Sequence, residues 1–159
     1  MQPQWITKPA FTVVGMQIRT TPKAAEIPQL WEKFGPRMNE IQHLVERGPT
    51  DTHHVAYGLL DHFDTKTGGF DYLAGEAVVK VDELPPGMTR WDIPTSTYAV
   101  FEASLPTLGE VFDHIYKEWL PTSGYQQAQS PVFERYGERS NADGPGFPVS
   151  IYLPVQKKA

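Results

Sequence analysis

The chain contains no cysteine, which excludes disulfide staples, a thiolate metal site and a cysteine nucleophile. Long apolar runs are also missing: the longest span only a few residues, against the roughly 20 that a membrane-crossing helix needs. Residues 1–11 mix polar and aromatic side chains and show no basic start followed by an apolar stretch, so no signal peptide is expected. Cytoplasm is the default expectation. Nor is there an excess of basic charge. Lysine and arginine total 14 against 19 acidic residues, a net charge of −5, and only Lys157 and Lys158 are adjacent. Such a chain lacks the basic face that displaces phosphate counterions, so no direct nucleic-acid binding is expected. Its charge suits a neutral or cationic partner better.

Several chemical signatures are absent too. There is no GxxxxGK[ST] or GxGxxG to cradle phosphates, and no HExxH or GxSxG. The five histidines are His43, His53, His54, His62 and His114. On a strand, His53 and His54 would point to opposite faces and could not share a metal. His62 and Asp64 could share a strand face, but that pair reads more simply as a solvated strand end beside a turn. We therefore expect no metal and no cofactor.

What the sequence does have is aromatic residues: four Trp, seven Tyr and eight Phe among 159 residues. Many belong to a core, yet Tyr and Trp also line ligand pockets. A chain of this length forms a core without staples, burying roughly 70% of its unfolded surface. Residues 1–159 are read as one domain.

The order of elements is repetitive. Phe11–Thr20 alternates as a strand, with Val14, Met16 and Ile18 on its core side. Residues 24–34 read as a helix, because Ile27, Leu30, Trp31 and Phe34 fall at i, i+3, i+4 and i+7 with Pro28 in the first turn. Gly35-Pro36 is expected to break it before a further turn or two over residues 37–45. Strands follow over residues 55–63 and 70–81, around a turn cluster at 65–69. The second half repeats the sequence: a short strand Thr89–Ile93, a strand over 97–103, then a helix. Thr107 and Glu110 have capping-box spacing. Leu108, Val111, Phe112, Ile115, Tyr116, Trp119 and Leu120 form one apolar stripe, which Pro121 and Gly124 are expected to close. Val132–Tyr136 and residues 148–155 read as the last strands, joined by a loop over 140–146. The expectation is an α+β fold: two βαββ units, residues 9–82 and 88–157, forming a curved antiparallel sheet with two main helices on one face.

The stretch Val132-Phe133-Glu134-Arg135-Tyr136 carries the most chemical information. Strand alternation puts Glu134 on one face with Val132 and Tyr136. A carboxylate among apolar and aromatic groups is either a solvated or paired edge residue, or a pocket group awaiting a cation. Trp31, Phe34, Phe112 and Ile115 lie on helical stripes and read as core. Tyr116 and Trp119 lie where a helix end can overhang a cleft.

These residues also resemble a known family. Ile93-Pro94 with Tyr98-Ala99-Val100-Phe101, the run from Ile115 to Tyr125, Phe133-Glu134-Arg135-Tyr136, the run Ser150 to Val155, and Tyr72-Leu73-Ala74-Gly75-Glu76 are similar, in order and spacing, to GyrI-like (AraC-type effector-binding) small-molecule-binding domains. The resemblance covers nearly the whole chain. It implies a duplicated βαββ fold with a ligand cleft between the halves, in which the glutamate matching Glu134 meets cationic aromatic ligands. Family members often follow a DNA-binding helix-turn-helix. Because the first expected strand begins near Phe11, this chain is read as a stand-alone version.

Three functions follow from the resemblance. The first is a sensor or sequestering protein for small cationic or aromatic molecules. Its ligand-binding residues would be Glu134, Tyr57, Tyr72, Trp91, Phe112, Trp119, Tyr136 and Tyr152. The second is a hydrolase of reactive electrophiles, in which Glu134 would work with Tyr57 or Tyr98 as acid or base. The third is a protein partner role, as an inhibitor of DNA gyrase.

Overall fold

In the computed structural model, residues 2–22, 24–45, 55–81, 83–137 and 148–158 are described. His53, His54 and the loop expected over residues 140–146 lie outside them. The chain opens with β1 (Gln4–Lys8), a strand the periodicity did not reveal, and β2 (Phe11–Thr20). Helix α1 (Ile27–Phe34) has Pro28 in its first turn and buries Leu30 and Phe34.

Helix α1 ends at Phe34, ahead of Gly35-Pro36 as expected, but the chain does not leave the helical region there. Gly35 keeps a right-handed backbone (φ −48°), and the chain runs directly into a 3-10 helix, Gly35–Leu44. Pro36 has no N–H to donate back to the Glu32 carbonyl, so the α-helical ladder stops while tighter three-residue turns continue. Ile41 and Leu44 are fully buried by this extension.

Strands β3 (Ala56–Asp61) and β4 (Phe70–Val78) form a hairpin. Its turn is held by Asp64, whose carboxylate accepts the Lys66 N–H at 2.8 Å. Next come β5 (Thr89–Ile93) and β6 (Ser96–Ser104). The capping box lies one turn earlier than its expected place at Thr107 and Glu110. Thr107 instead reaches back: its Oγ1 accepts the Ser104 N–H at 2.9 Å, which opens a 3-10 turn, Leu105–Thr107. Pro106 favours this tight start.

The long apolar stripe forms one continuous helical segment. It comprises α2 (Leu108–His114), a π-helical stretch Ile115–Trp119, and α3 (Leu120–Thr122). The wide turns directly precede Pro121, whose ring would crowd the Lys117 carbonyl in a regular α-helix. Gly124, at φ 80°, ends the segment in the left-handed region that glycine adopts freely. Strands β7 (Tyr125–Gln127), β8 (Val132–Tyr136) and β9 (Pro148–Lys157) complete the chain.

The sheet runs β1-β6-β9-β8-β3-β4-β2-β5, with β7 added beside β9, and every pairing is antiparallel. The order reads as a palindrome about the β8–β3 pair. In it β6, β9 and β8 of the second half mirror β2, β4 and β3 of the first. The edge strands are exchanged: β1 pairs with β6 of the second half, and β5 with β2 of the first. The expected α+β architecture, with both helical layers on one face of an antiparallel sheet, is what the structure has.

Alternation splits the apolar residues between two faces. Val14, Tyr72, Ala74, Val132, Ile151 and Leu153 pack beneath the helices. Val13, Tyr57, Leu59, Tyr98, Phe133 and Ile93 form a separate core on the other face. There Phe11 of β2 reaches across to Tyr57 and Phe133, with ring centroids 5.6 and 5.5 Å away. Strands β2 and β8 are not neighbours in the sheet, so this contact requires it to curl.

Candidate ligand-binding cleft

Strand alternation along β8 sends Val132, Glu134 and Tyr136 to the helix face, and Phe133 to the other. Glu134 is only 5% exposed. Its carboxylate does not point along its own strand but lies across β3 toward β4. Gly58 of β3 stands directly opposite Glu134 in register. A Cβ built there would sit 2.6 Å from Glu134 Oε1 and would also collide with the Tyr72 hydroxyl. The missing side chain is what makes room for the crossing.

Two hydroxyls converge on the same oxygen. Tyr72 Oη donates to Glu134 Oε1 at 2.8 Å, and Tyr136 Oη donates to it at 2.7 Å. Trp31 Nε1 in turn donates to Tyr72 Oη at 3.0 Å, so α1 is tied through β4 to β8. Among the described residues no Lys, Arg or His pairs with Glu134. Burial pushes its carboxyl above the ordinary value, while the two tyrosine hydroxyls pull it back. Tyr72 is raised well above the usual tyrosine range, first by burial and then by the Glu134 charge.

In front of this cluster is a cleft of about 660 Å³. Ile27, Pro28, Trp31, Gly35 and Met38 from the first helical layer, Leu105 and Leu108 from the second, and Ala56 and Tyr136 from the sheet line it. Trp31 and Tyr136 meet edge to face at 5.4 Å. They belong both to the cleft lining and to the hydrogen-bond chain that ends on Glu134. The site therefore offers apolar and aromatic surface backed by a buried carboxylate, a combination suited to a ligand with an apolar body and positive charge.

Of the residues singled out in the sequence, Tyr72 and Tyr136 join Glu134. Tyr57, Tyr98, Trp91 and Tyr152 lie on the opposite face. Tyr57 follows the strand parity: its neighbour Gly58 faces Glu134, so Tyr57 must point away. The pairing of Glu134 with Tyr57 or Tyr98 as acid and base is thus not formed. Phe112 and Trp119 pack against the helix-side core, Trp119 against Phe101 at 5.2 Å, and neither lines the cleft. Trp31, read from the sequence as core, is the residue that reasoning missed. A half-buried indole needs an acceptor for its N–H, and that need was the available signal. His62 Nδ1 sits 2.9 Å from Asp71 Oδ2. Among the described residues no group of His, Asp and Glu is arranged to hold a metal.

The palindromic sheet with both helical layers on one face is the GyrI-like effector-binding fold. Residues 5–155 match the family described as Cass2, integron-associated effector binding protein, and the chain belongs to it. It is 34% identical over 158 residues to the transcriptional regulator BrlR of Pseudomonas aeruginosa, a match covering 98% of this chain and 56% of that protein. The chain thus spans little more than half the length of that regulator. Among solved structures, it resembles an integron cassette protein from the mobile metagenome of Vibrio cholerae at a TM-score of 0.68 and 21% identity, covering 98% of this chain and 96% of that one. It also resembles SAV2435, solved with tetraphenylphosphonium bound, at a TM-score of 0.73 and 16% identity, covering 98% and 94%.

Proposed function

We propose that this chain binds lipophilic organic cations with aromatic groups in the cleft beside Trp31 and Tyr136, and acts as a sensor or sequestering protein for them. One observation carries the reading. Glu134 is buried behind an apolar, aromatic cleft, held by tyrosine hydroxyls alone, with no cationic partner among the described residues. A buried carboxylate without a counter-ion is poorly solvated, and a cation brought into the cleft relieves that cost. A hydrated inorganic cation would not fill so apolar a space, whereas an aryl-substituted one supplies charge and apolar area together. Flanking rings add cation–π attraction of about 0.5–2 kcal/mol each. Membership of an effector-binding family supports the reading, as does a structural relative that holds tetraphenylphosphonium.

The test is calorimetry with tetraphenylphosphonium and a neutral tetraaryl analogue of the same shape. Glu134→Gln should weaken the cation by about tenfold or more, the equivalent of about 1.4 kcal/mol. The neutral analogue should bind the variant as it binds the wild type. Equal losses for both ligands would reduce Glu134 to a structural residue.

A further inference from the structure

On the sheet face opposite the cleft, β8 presents the residue that follows Glu134. Arg135 stands between Tyr57 of β3 and Ser150 of β9, its partners in register. Ser150 is paired in turn with Glu102 of β6. That intervening strand decides the charge pairing. Glu102 is two strands from Arg135, and its two oxygens share the single Ser150 hydroxyl proton, each 2.9 Å from Ser150 Oγ. Arg135 makes no ion pair with any described residue.

A second cation converges on the same place. Lys8, at the end of β1, projects from this face and lies over the Phe11 ring, 4.4 Å from its centroid. Phe11 contacts Tyr57, whose strand neighbour across the pair is Arg135. Lys8 also has no carboxylate partner among the described residues. Burial and the nearby Arg135 charge both lower its ammonium pKa. Two tyrosines complete the group. Tyr152 stacks on Phe133 at 4.5 Å, and its hydroxyl lies close enough to Arg135, Tyr57 and Glu102 for all three to bear on its ionisation. Neither the Tyr57 nor the Tyr152 hydroxyl donates to a described residue, and neither is sealed from solvent.

Like charges that are half-buried together cost free energy unless something offsets them. Here two cations share one face with two hydroxyls free to donate, and no described carboxylate pairs with either cation, Glu102 being engaged by Ser150 instead. We propose that Arg135, Lys8, Tyr57 and Tyr152 form a second binding site, for a small oxyanion such as a carboxylate or phosphate, on the side of the sheet away from the cleft. Arg135 supplies the forked donors suited to a two-oxygen acceptor. Lys8 adds a point charge, and the hydroxyls close the remaining directions. The Phe11, Tyr57 and Tyr152 rings offer a flat apolar wall for a carboxylate carrying an aromatic body. The site does not depend on the function proposed for the cleft.

Two probes test it: benzoate, and inorganic phosphate, each titrated into the whole chain while backbone amide shifts of Arg135 and Tyr152 are followed by NMR. Saturable binding of either supports the site, and which one binds separates an organic carboxylate from a phosphate. Arg135→Gln should then weaken the bound probe about tenfold, since it removes a charge-assisted hydrogen bond. Glu134→Gln, on the other face, should leave that affinity unchanged. If Arg135→Gln does not fold, Lys8→Gln carries the same reading with a smaller loss. The proposal is overturned if neither probe saturates at millimolar concentration. It is equally overturned if affinity ignores the Arg135 substitution, or the Lys8 one in its place.

Discussion

Gly58 and Glu134 face each other across the β3–β8 pair, and the absence of a side chain on the first fixes the direction of the second. Gly58→Ala should drive a methyl into the space shared by Tyr72 Oη and Glu134 Oε1. Overpacking of this kind costs about 1–3 kcal/mol, read as a lower denaturation midpoint at constant slope. Removing the tyrosine hydroxyl makes room, so Gly58→Ala should cost less in a Tyr72→Phe background than in the wild type. Additive effects in that double-mutant cycle would mean the methyl is absorbed elsewhere.

The buried carboxylate should also leave a mark on stability. Burial raises Glu134 above its ordinary 4.5. Between that value and the raised one the folded protein holds a proton that the unfolded chain has released. Its contribution is therefore fully present below the ordinary value and is lost as pH rises through the raised one. Glu134→Gln cannot lose it. Urea melts at a series of pH values should show the variant gaining on the wild type as pH climbs through this window. Parallel curves would show that Glu134 titrates alike in the folded and unfolded chain.

At the entrance to the second helical layer, the Thr107 hydroxyl accepts the Ser104 N–H at 2.9 Å. Thr107→Ala removes that acceptor and should cost about 1 kcal/mol, in the usual range for a lost cap. Glu110→Ala should cost less, because the cap does not involve it. A larger loss at Glu110 would restore the capping box to its sequence-expected place.

Much of the architecture is legible in the periodicity. The stripe from Leu108 to Leu120 and the alternation of β2 identify their elements because burial on one side imposes a repeat. What periodicity does not encode is pairing at the edges. Gln4–Lys8 carries mixed polar and aromatic residues because as an edge strand it exposes one of its faces, Trp5 being 49% exposed. Proline rules locate the helix joints but not the helix type on either side of them. Pro36 and Pro121 are both accommodated by a change of helix type, which depends on the packing of Ile41, Leu44 and Ile115 rather than on local propensity. At the candidate site, the shared face of Glu134 and Tyr136 follows from a spacing of two. The contributions of Tyr72, Gly58 and Trp31 come from β4, β3 and α1, and strand order alone brings these to β8. The tyrosines of the other face were indistinguishable from them by residue type. Only their parity against Gly58 separates the two sets.

Ligand affinity should follow the ionisation of Glu134. A lipophilic cation is answered by the carboxylate and not by the carboxylic acid, so binding weakens as pH falls through the raised pKa, above the ordinary 4.5. The two tyrosine hydroxyls oppose that rise by donating to the ionised form. Replacing either with phenylalanine removes a donor and moves the midpoint of the affinity profile to higher pH. Tyr136→Phe keeps the ring that lines the cleft, so its effect at high pH, where the carboxylate is ionised in both proteins, should be smaller than at the midpoint. Glu134→Gln should give a flat, weak profile, and a neutral tetraaryl analogue should give a flat one in every variant. Trp31 lines the cleft and supplies an optical signal for the measurement. Trp31→Phe should abolish most of the ligand-induced change in tryptophan fluorescence, while Trp91→Phe, on the other sheet face, should leave it in place. A cation affinity that is constant across the Glu134 titration would remove the carboxylate from recognition, whatever the fluorescence reports.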